Sequence, residues 1–293
     1  MGQRQCAWLR FALVAVAVST FSACGSSQDA GKSTQGGPDC AALGDISGQV
    51  LVAKTATPTI DGSASDSAWA GACWQHVGYL GGPAIERPAG EADFSFDIAA
   101  LHDATNLYLA LRITDDVDSN VDNGPCNEWQ SDGIGFEFDM SHDIGSTLDP
   151  ADTQFTLTKA QLFAGATHGT CPWVSGQGTD GSWPTFLGIG QAGDIAANYT
   201  AELQFPLSFS WTPDGSEHWG ENVTGGGWNV PATEGTLIGL GINADDNDLI
   251  GVDGSGLPTR DHELLWSEAD RDQDDGFEQP ALLGTLKFVD QTP

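Results

Sequence analysis

CNEWQSDGIGFEFD, residues 126–139, opens as a loop and closes as a strand. Ile134, Phe136 and Phe138 alternate with Gly135, Glu137 and Asp139. A period of two sends the first set to one face of a sheet and the second set to the other. The apolar set demands a core. The other set looks outward beside Trp129, which stands in polar company at the head of the strand. A flat aromatic ring followed by an outward carboxylate suits the face of a sugar. The competing reading is a loop Trp folded back onto the core.

The same alternation recurs along the chain. Phe94, Phe96 and Ile98 form one run, and Leu107, Leu109, Leu111 and Ile113 the next, with a turn at 102–106 that makes a hairpin. Tyr199, Ala201, Leu203 and Phe205 form another run, ended by Pro206. Ile238, Leu240 and Ile242 lead into NADDND, residues 243–248. Trp69 sits in a short helical turn that Ser65 or Asp66 can cap. No segment sustains a helical period. Gly-rich stretches at 164–194 and 211–231 read as long loops carrying Trp173, Trp183, Trp211, Trp219 and Trp228. Such a pattern predicts an all-β protein, an antiparallel β-sandwich of jelly-roll or immunoglobulin-like kind with long Gly-rich loops.

The N-terminus reads as an export signal over residues 1–23: Arg4 and Arg10, then the apolar run Phe11 to Val18, too short to span a bilayer. Phe21, Ser22, Ala23 and Cys24 resemble a bacterial lipobox, with Phe where Leu is usual. Cys24 is then the lipidated residue and 24–45 a Gly/Ser-rich tether. Residues 46–293 form one domain. The expected location is the outer membrane, periplasmic or surface face, through the lipid anchor alone.

Net charge is −31, from 41 acidic and 10 basic residues. That field repels phosphate backbones and anionic lipid, so nucleic acid is excluded as a partner. With Cys6 and Cys24 assigned to the leader and the lipid, Cys40, Cys73, Cys126 and Cys171 remain for an oxidising compartment. Three pairings are open, and Cys40–Cys73 with Cys126–Cys171 is preferred. Three acidic loops offer oxygen ligands for calcium. One carries Asp115, Asp116, Asp118 and Asp122, the second Asp245, Asp246 and Asp248, the third Asp270, Asp272, Asp274 and Asp275 in DRDQDDG. A solvated acidic loop is the alternative for each. No H-E-x-x-H, G-x-S-x-G or phosphate-binding loop is present. A glycosidase needs two carboxylates at a set separation, which spacing in sequence does not fix.

PTIDGSASDSAW (58–69), NLYLALRITDD (106–116), EWQSDGIGFEFD (128–139), YTAELQFP (199–206), LIGLGINADD (237–246) and ELLW with LGTLKF (263–288) occur in this order. Together they resemble the family 9 carbohydrate-binding modules and their DOMON-like relatives. The resemblance implies a β-sandwich, often with bound calcium, that holds a sugar between two aromatic rings. Trp129 matches one ring. Phe277 stands where the second, usually Trp, is placed. Asn243 matches an amide that meets sugar hydroxyls. Gly135 stands in place of a carboxylate, for which Glu137 on the same face is the candidate substitute. Thr156 stands in place of a basic residue. The function so implied is non-catalytic binding of a mono- or polysaccharide by a monomeric cell-envelope lipoprotein, in polysaccharide capture or breakdown. The alternatives are a hydrolytic enzyme and a calcium-stiffened structural surface protein. Trp69 and Trp266, among apolar neighbours, are expected in the core.

The Cys24→Ser variant is expected to lose all incorporation of a fatty-acid analogue that the parent chain takes up in a bacterial host. Labelling that persists in the variant contradicts the assignment.

Overall fold

The computed structural model describes residues 40, 50–83, 86–119, 127–145, 151–167, 186–193, 197–211, 226–252, 258–266 and 279–290. In chain order the strands are β1 (Val50–Thr55), β2 (Gln75–Val77), β3 (Phe94–His102), β4 (Asn106–Asp115), β5 (Gly133–Asp139), β6 (Asp152–Thr158), β7 (Leu187–Ala192) and β8 (Tyr199–Pro206). They continue with β9 (Ser208–Trp211), β10 (Gly226–Asn229), β11 (Leu237–Asp246), β12 (Gly251–Val252), β13 (Pro258–Thr259), β14 (His262–Leu265) and β15 (Gly284–Val289). Two short helices, α1 (Ser67–Ala70) and α2 (Lys159–Ala164), interrupt them. None of the described helices is long and apolar enough to cross a membrane.

The main sheet has the order β6-β5-β11-β15-β1-β3-β4-β8-β7, with β14 on β11 and β2 on β3. It curls until its two ends face each other across one core. Phe136 and Phe138 of β5 and Phe155 of β6 meet Phe205 of β8 at ring separations of 5.1–5.7 Å. Phe186, just before β7, stacks on Phe155 at 4.7 Å. The expected sandwich is therefore present, but it is not purely antiparallel. β1 runs parallel to both β15 and β3. Periodicity reports which face a residue takes, not the direction of its neighbour, so this seam was not readable from alternation alone.

The opening of the domain is fastened by Glu202 of β8. Its buried carboxylate accepts the backbone N–H groups of Asp61 and Gly62 and the indole N–H of Trp69. Gly62 has φ +88°, and a Cβ there would come within 3.0 Å of the Gly190 backbone. The turn thus needs glycine both for its conformation and for its close seat on β7. Asp66 caps α1 through the N–H of Ala68, and the helix carries Trp69 into the core. Trp69 and Trp266 are both buried, as expected. Cys40 and Cys73 form a disulfide with a Cα separation of 5.5 Å. Cys24, Cys126 and Cys171 lie outside the described residues.

Trp69→Ala is expected to cost about 3–5 kcal/mol of unfolding free energy through the cavity it leaves. Trp69→Phe keeps most of the ring but strands Glu202 without its indole donor, at a cost of about 1–3 kcal/mol. Urea unfolding of the two variants checks both the order and the sizes.

Candidate functional site

Three strands build the outward face that follows Trp129. In the β6-β5-β11 ladder Thr156 is level with Gly135 and Asn243, and Gln154 with Glu137 and Gly241. Gly135, Thr156 and Asn243, the positions that the resemblance singles out, therefore lie in a single row. The two glycines shape this surface. A Cβ at Gly135 would overlap the Asn243 side-chain oxygen, and one at Gly241 would overlap the Glu137 carboxylate. Each polar side chain lies flat across the strand beside it because no side chain stands there. Glu137 and Asn243 are largely buried for residues on an outward face, and Asn243 Oδ1 has no hydrogen-bond partner among the described residues.

Trp129 sits on a single 3₁₀ turn, Glu128–Gln130, that packs against β5, β6 and β11. The residue is 44% exposed, so it is not a loop side chain folded into the core. The guanidinium of Arg260 stands 5.4 Å from the ring centre, within range of a cation–π contact. Arg260 is itself held by Asp245 at 2.8 Å, Glu86 at 2.8 Å and Glu263. Burial works against its charge, but Asp245 and Glu263 outweigh that and hold its pKa above the usual range. Asp245 is thereby engaged on the outward side with Arg260. Phe277, and with it the second ring of the expected clamp, lies outside the described residues, as do Asp272 and Asp274.

The first two acidic loops meet at one end of the core. Asp115 closes β4 in the inward-facing series of Leu111 and Ile113, and Asp246 closes β11 in that of Leu240 and Ile242. The core-facing positions thus end in carboxylates rather than in apolar side chains. Asp132, immediately before β5, joins them. One ligand oxygen from each of Asp115, Asp132 and Asp246 lies within 4.8 Å of the others. Asp115, Asp116 and Asp248 form an adjoining group on the same criterion. Asp118 instead pairs with buried Lys159 at 2.8 Å, and the same ammonium reaches Asp132 at 3.8 Å.

Few groups compensate this charge. Asp132 accepts the backbone N–H groups of Ser119 and Asn247. Asp115 accepts Val117 N–H through one oxygen, and its other oxygen has no partner among the described residues. Neither oxygen of Asp246 has one. Burial, together with the neighbouring charges of Asp115 and Asp248, pushes the Asp246 carboxyl up to about 10. Burial and Asp132 push Asp115 to about 8, and burial pushes Asp132 to about 7 against the N–H bond from Asn247. Buried, all-oxygen and under-compensated, the group has the donor chemistry of a hard divalent cation. Asp132 stands three residues after Trp129 in the opening stretch, but its role depends on partners at positions 115 and 246 that no local spacing joins to it.

A family model described as carbohydrate family 9 binding domain-like matches residues 60–291. Two solved structures are similar in fold. One is a carbohydrate binding module family 9 from Caldicellulosiruptor kristjanssonii in complex with cellotriose, with TM-score 0.53 and 13% identity over 83% of this chain and 95% of that one. The other is a family 9 module from the same organism in complex with glucose, with TM-score 0.51 and 14% identity over 83% and 97%. No curated protein matches the chain.

The folded protein without a divalent cation keeps protons on Asp115, Asp132 and Asp246 that the unfolded chain releases near pH 4. In chelator its thermal midpoint is therefore expected to fall as pH rises from about 5 to about 9. Asp246→Asn removes the costliest charge. It should flatten that fall and raise the metal-free midpoint at about pH 8, by about 2–4 °C for each kcal/mol recovered. Scanning fluorimetry across the pH range checks both.

Proposed function

Because the chain belongs to the family 9 carbohydrate-binding domains, we propose that its activity is non-catalytic binding of a saccharide on the β6-β5-β11 face. The observation that carries this reading is the Asn243 side chain. Its buried oxygen lacks a partner among the described residues, on a surface kept low by Gly135 and Gly241, next to a half-exposed Trp129. A sugar hydroxyl supplies the missing donor, and the C–H face of the same ring stacks on the indole. Glu137 and Thr156 line the floor, and Phe277 supplies the opposing ring. Glucose units and short β-linked glycans are the ligand class, in keeping with the sugars bound by the two similar modules.

The reading extends to the surroundings of the site. Calcium is the structural ion of the Asp115, Asp132 and Asp246 group, where the carboxylate oxygens would hold it and it would supply the positive charge that Lys159 alone does not. The chain is an exported monomer anchored through Cys24 in the outer membrane, presenting the domain to polysaccharide. Cys126 pairs with Cys171.

Trp129→Ala is expected to weaken binding of cellotriose at least about tenfold, since stacking on one ring is worth about 1–3 kcal/mol. The thermal midpoint should move little, because a half-exposed ring contributes little to the core. Isothermal calorimetry with glucose and cellotriose, run beside a melt, decides. Unfolding of the variant makes Trp129 a structural residue, and unchanged affinity in a stable variant moves the site elsewhere, with the 173–183 stretch next to be tested.

A further inference from the structure

β11 and β14 run antiparallel with Asp246 directly opposite His262. The imidazole therefore stands at the acidic end of the sheet, but outside the group of Asp115, Asp132 and Asp246. Its Nε2 lies 3.5 Å from Asp248 Oδ2 and 3.7 Å from Asp93 Oδ2. Both separations are too long for a good hydrogen bond. They are close to the distance between two ligands of one ion, because donors about 2.1 Å from a tetrahedral metal sit about 3.4 Å apart. One ligand atom from each of the three residues lies within 4.8 Å of the others. The Asp248 side chain is only 6% exposed, and its second oxygen, Oδ1, is buried with no partner among the described residues. His262 Nδ1 is likewise buried without one. A simple His–Asp ion pair would close to contact distance and leave the carboxylate satisfied. This arrangement does neither.

We propose that Asp93, Asp248 and His262 form a second cation site, distinct in preference from the all-oxygen group, which takes a divalent transition ion of the zinc class. An imidazole nitrogen with two carboxylates is a donor set that suits zinc and is poorly matched to calcium, whose ligands are oxygens. Asp93 and His262 keep 14% and 19% of their side-chain surface, so an ion can enter from solvent. Three protein ligands leave one position of a tetrahedron for water. Asp248 also belongs to the group with Asp115 and Asp116. The two sites are therefore neighbours within one anionic field, and a cation in either relieves repulsion in the other. The proposal stands beside the calcium reading and does not require it.

The test uses the purified full chain, stripped with chelator, dialysed against calcium chloride and then titrated with zinc chloride, with both metals counted by elemental analysis. The expected result is one zinc per chain with the calcium content unchanged. His262→Gln and Asp93→Asn should each weaken zinc at least about a hundredfold, the loss of a direct ligand exceeding the 10- to 100-fold typical of outer-shell partners, while calcium and cellotriose binding persist. A circular dichroism melt confirms that each variant is folded, and if one is not, the other carries the test. Zinc that binds equally well to both variants, zinc that displaces calcium one for one, or no zinc uptake at all overturns the proposal. Zinc uptake without calcium would overturn only the calcium reading.

Discussion

Asp246 is the constraint around which the closed end of the sandwich is arranged. It occupies a core-facing position, is fully buried, and has no partner for either oxygen among the described residues. A buried carboxylate in that state must either keep its proton or meet a positive charge. Asp115 and Asp132 share the same space and add repulsion. Lys159 answers part of this from 3.8 Å away and spends its closest contact on Asp118. The positions of β4, β11 and the turn before β5 thus depend on what fills the gap between three carboxylates. An apolar plug would have closed the sandwich more cheaply, so the carboxylates point to a role for charge at this end.

The alternation of β11 couples this end to the ligand face. Asn243 and Asp245 point one way, Ala244 and Asp246 the other. One strand therefore contributes to the outward surface and to the acidic group in consecutive residues. The turn that carries Trp129 is tied to both. Asn247, whose N–H is accepted by Asp132, donates its side-chain amide to the Gln130 carbonyl at 2.6 Å. Arg260 donates its backbone N–H to the Gln130 side chain and lays its guanidinium over the Trp129 ring. The orientation of the ring is thus set by residues that also order the carboxylates. Asn247 thus bridges the acidic group and the turn that carries the ring through two hydrogen bonds.

The elements legible in the sequence were those whose signal is local. The strands around Ile134, Leu109 and Leu203 announce themselves by period two, and their inward sets are the core. The cap at Asp66 and the burial of Trp69 follow from short-range spacing. The outward row of Gly135, Thr156 and Asn243 follows from the same alternation once the strands pair. α2 was missed because six residues are too few to show a helical period. Its signal was the capping box of Thr158 with Gln161. Alternation places Glu202 opposite the inward set of its strand, but not its bond to a turn 140 residues earlier in the chain. Asp132, Asp115 and Asp246 are likewise separated by strands whose register had to be known first. The first two acidic loops were seen as separate candidates because only the curl of the sheet brings Asp115 beside Asp246.

The Cys40–Cys73 bridge has a mechanical consequence. It closes a covalent ring that contains β1, the strand held in parallel between β15 and β3. A pull applied anywhere N-terminal of residue 40 enters the fold at Cys73 as well as along the backbone. The ring cannot lengthen past its own cross-link, so the load bypasses β1 and is borne at the start of β2. The central strand of the seam is thereby shielded from being peeled out by tension on the leading segment. A domain held at its N-terminus while its outward face grips a polymer is loaded in this direction.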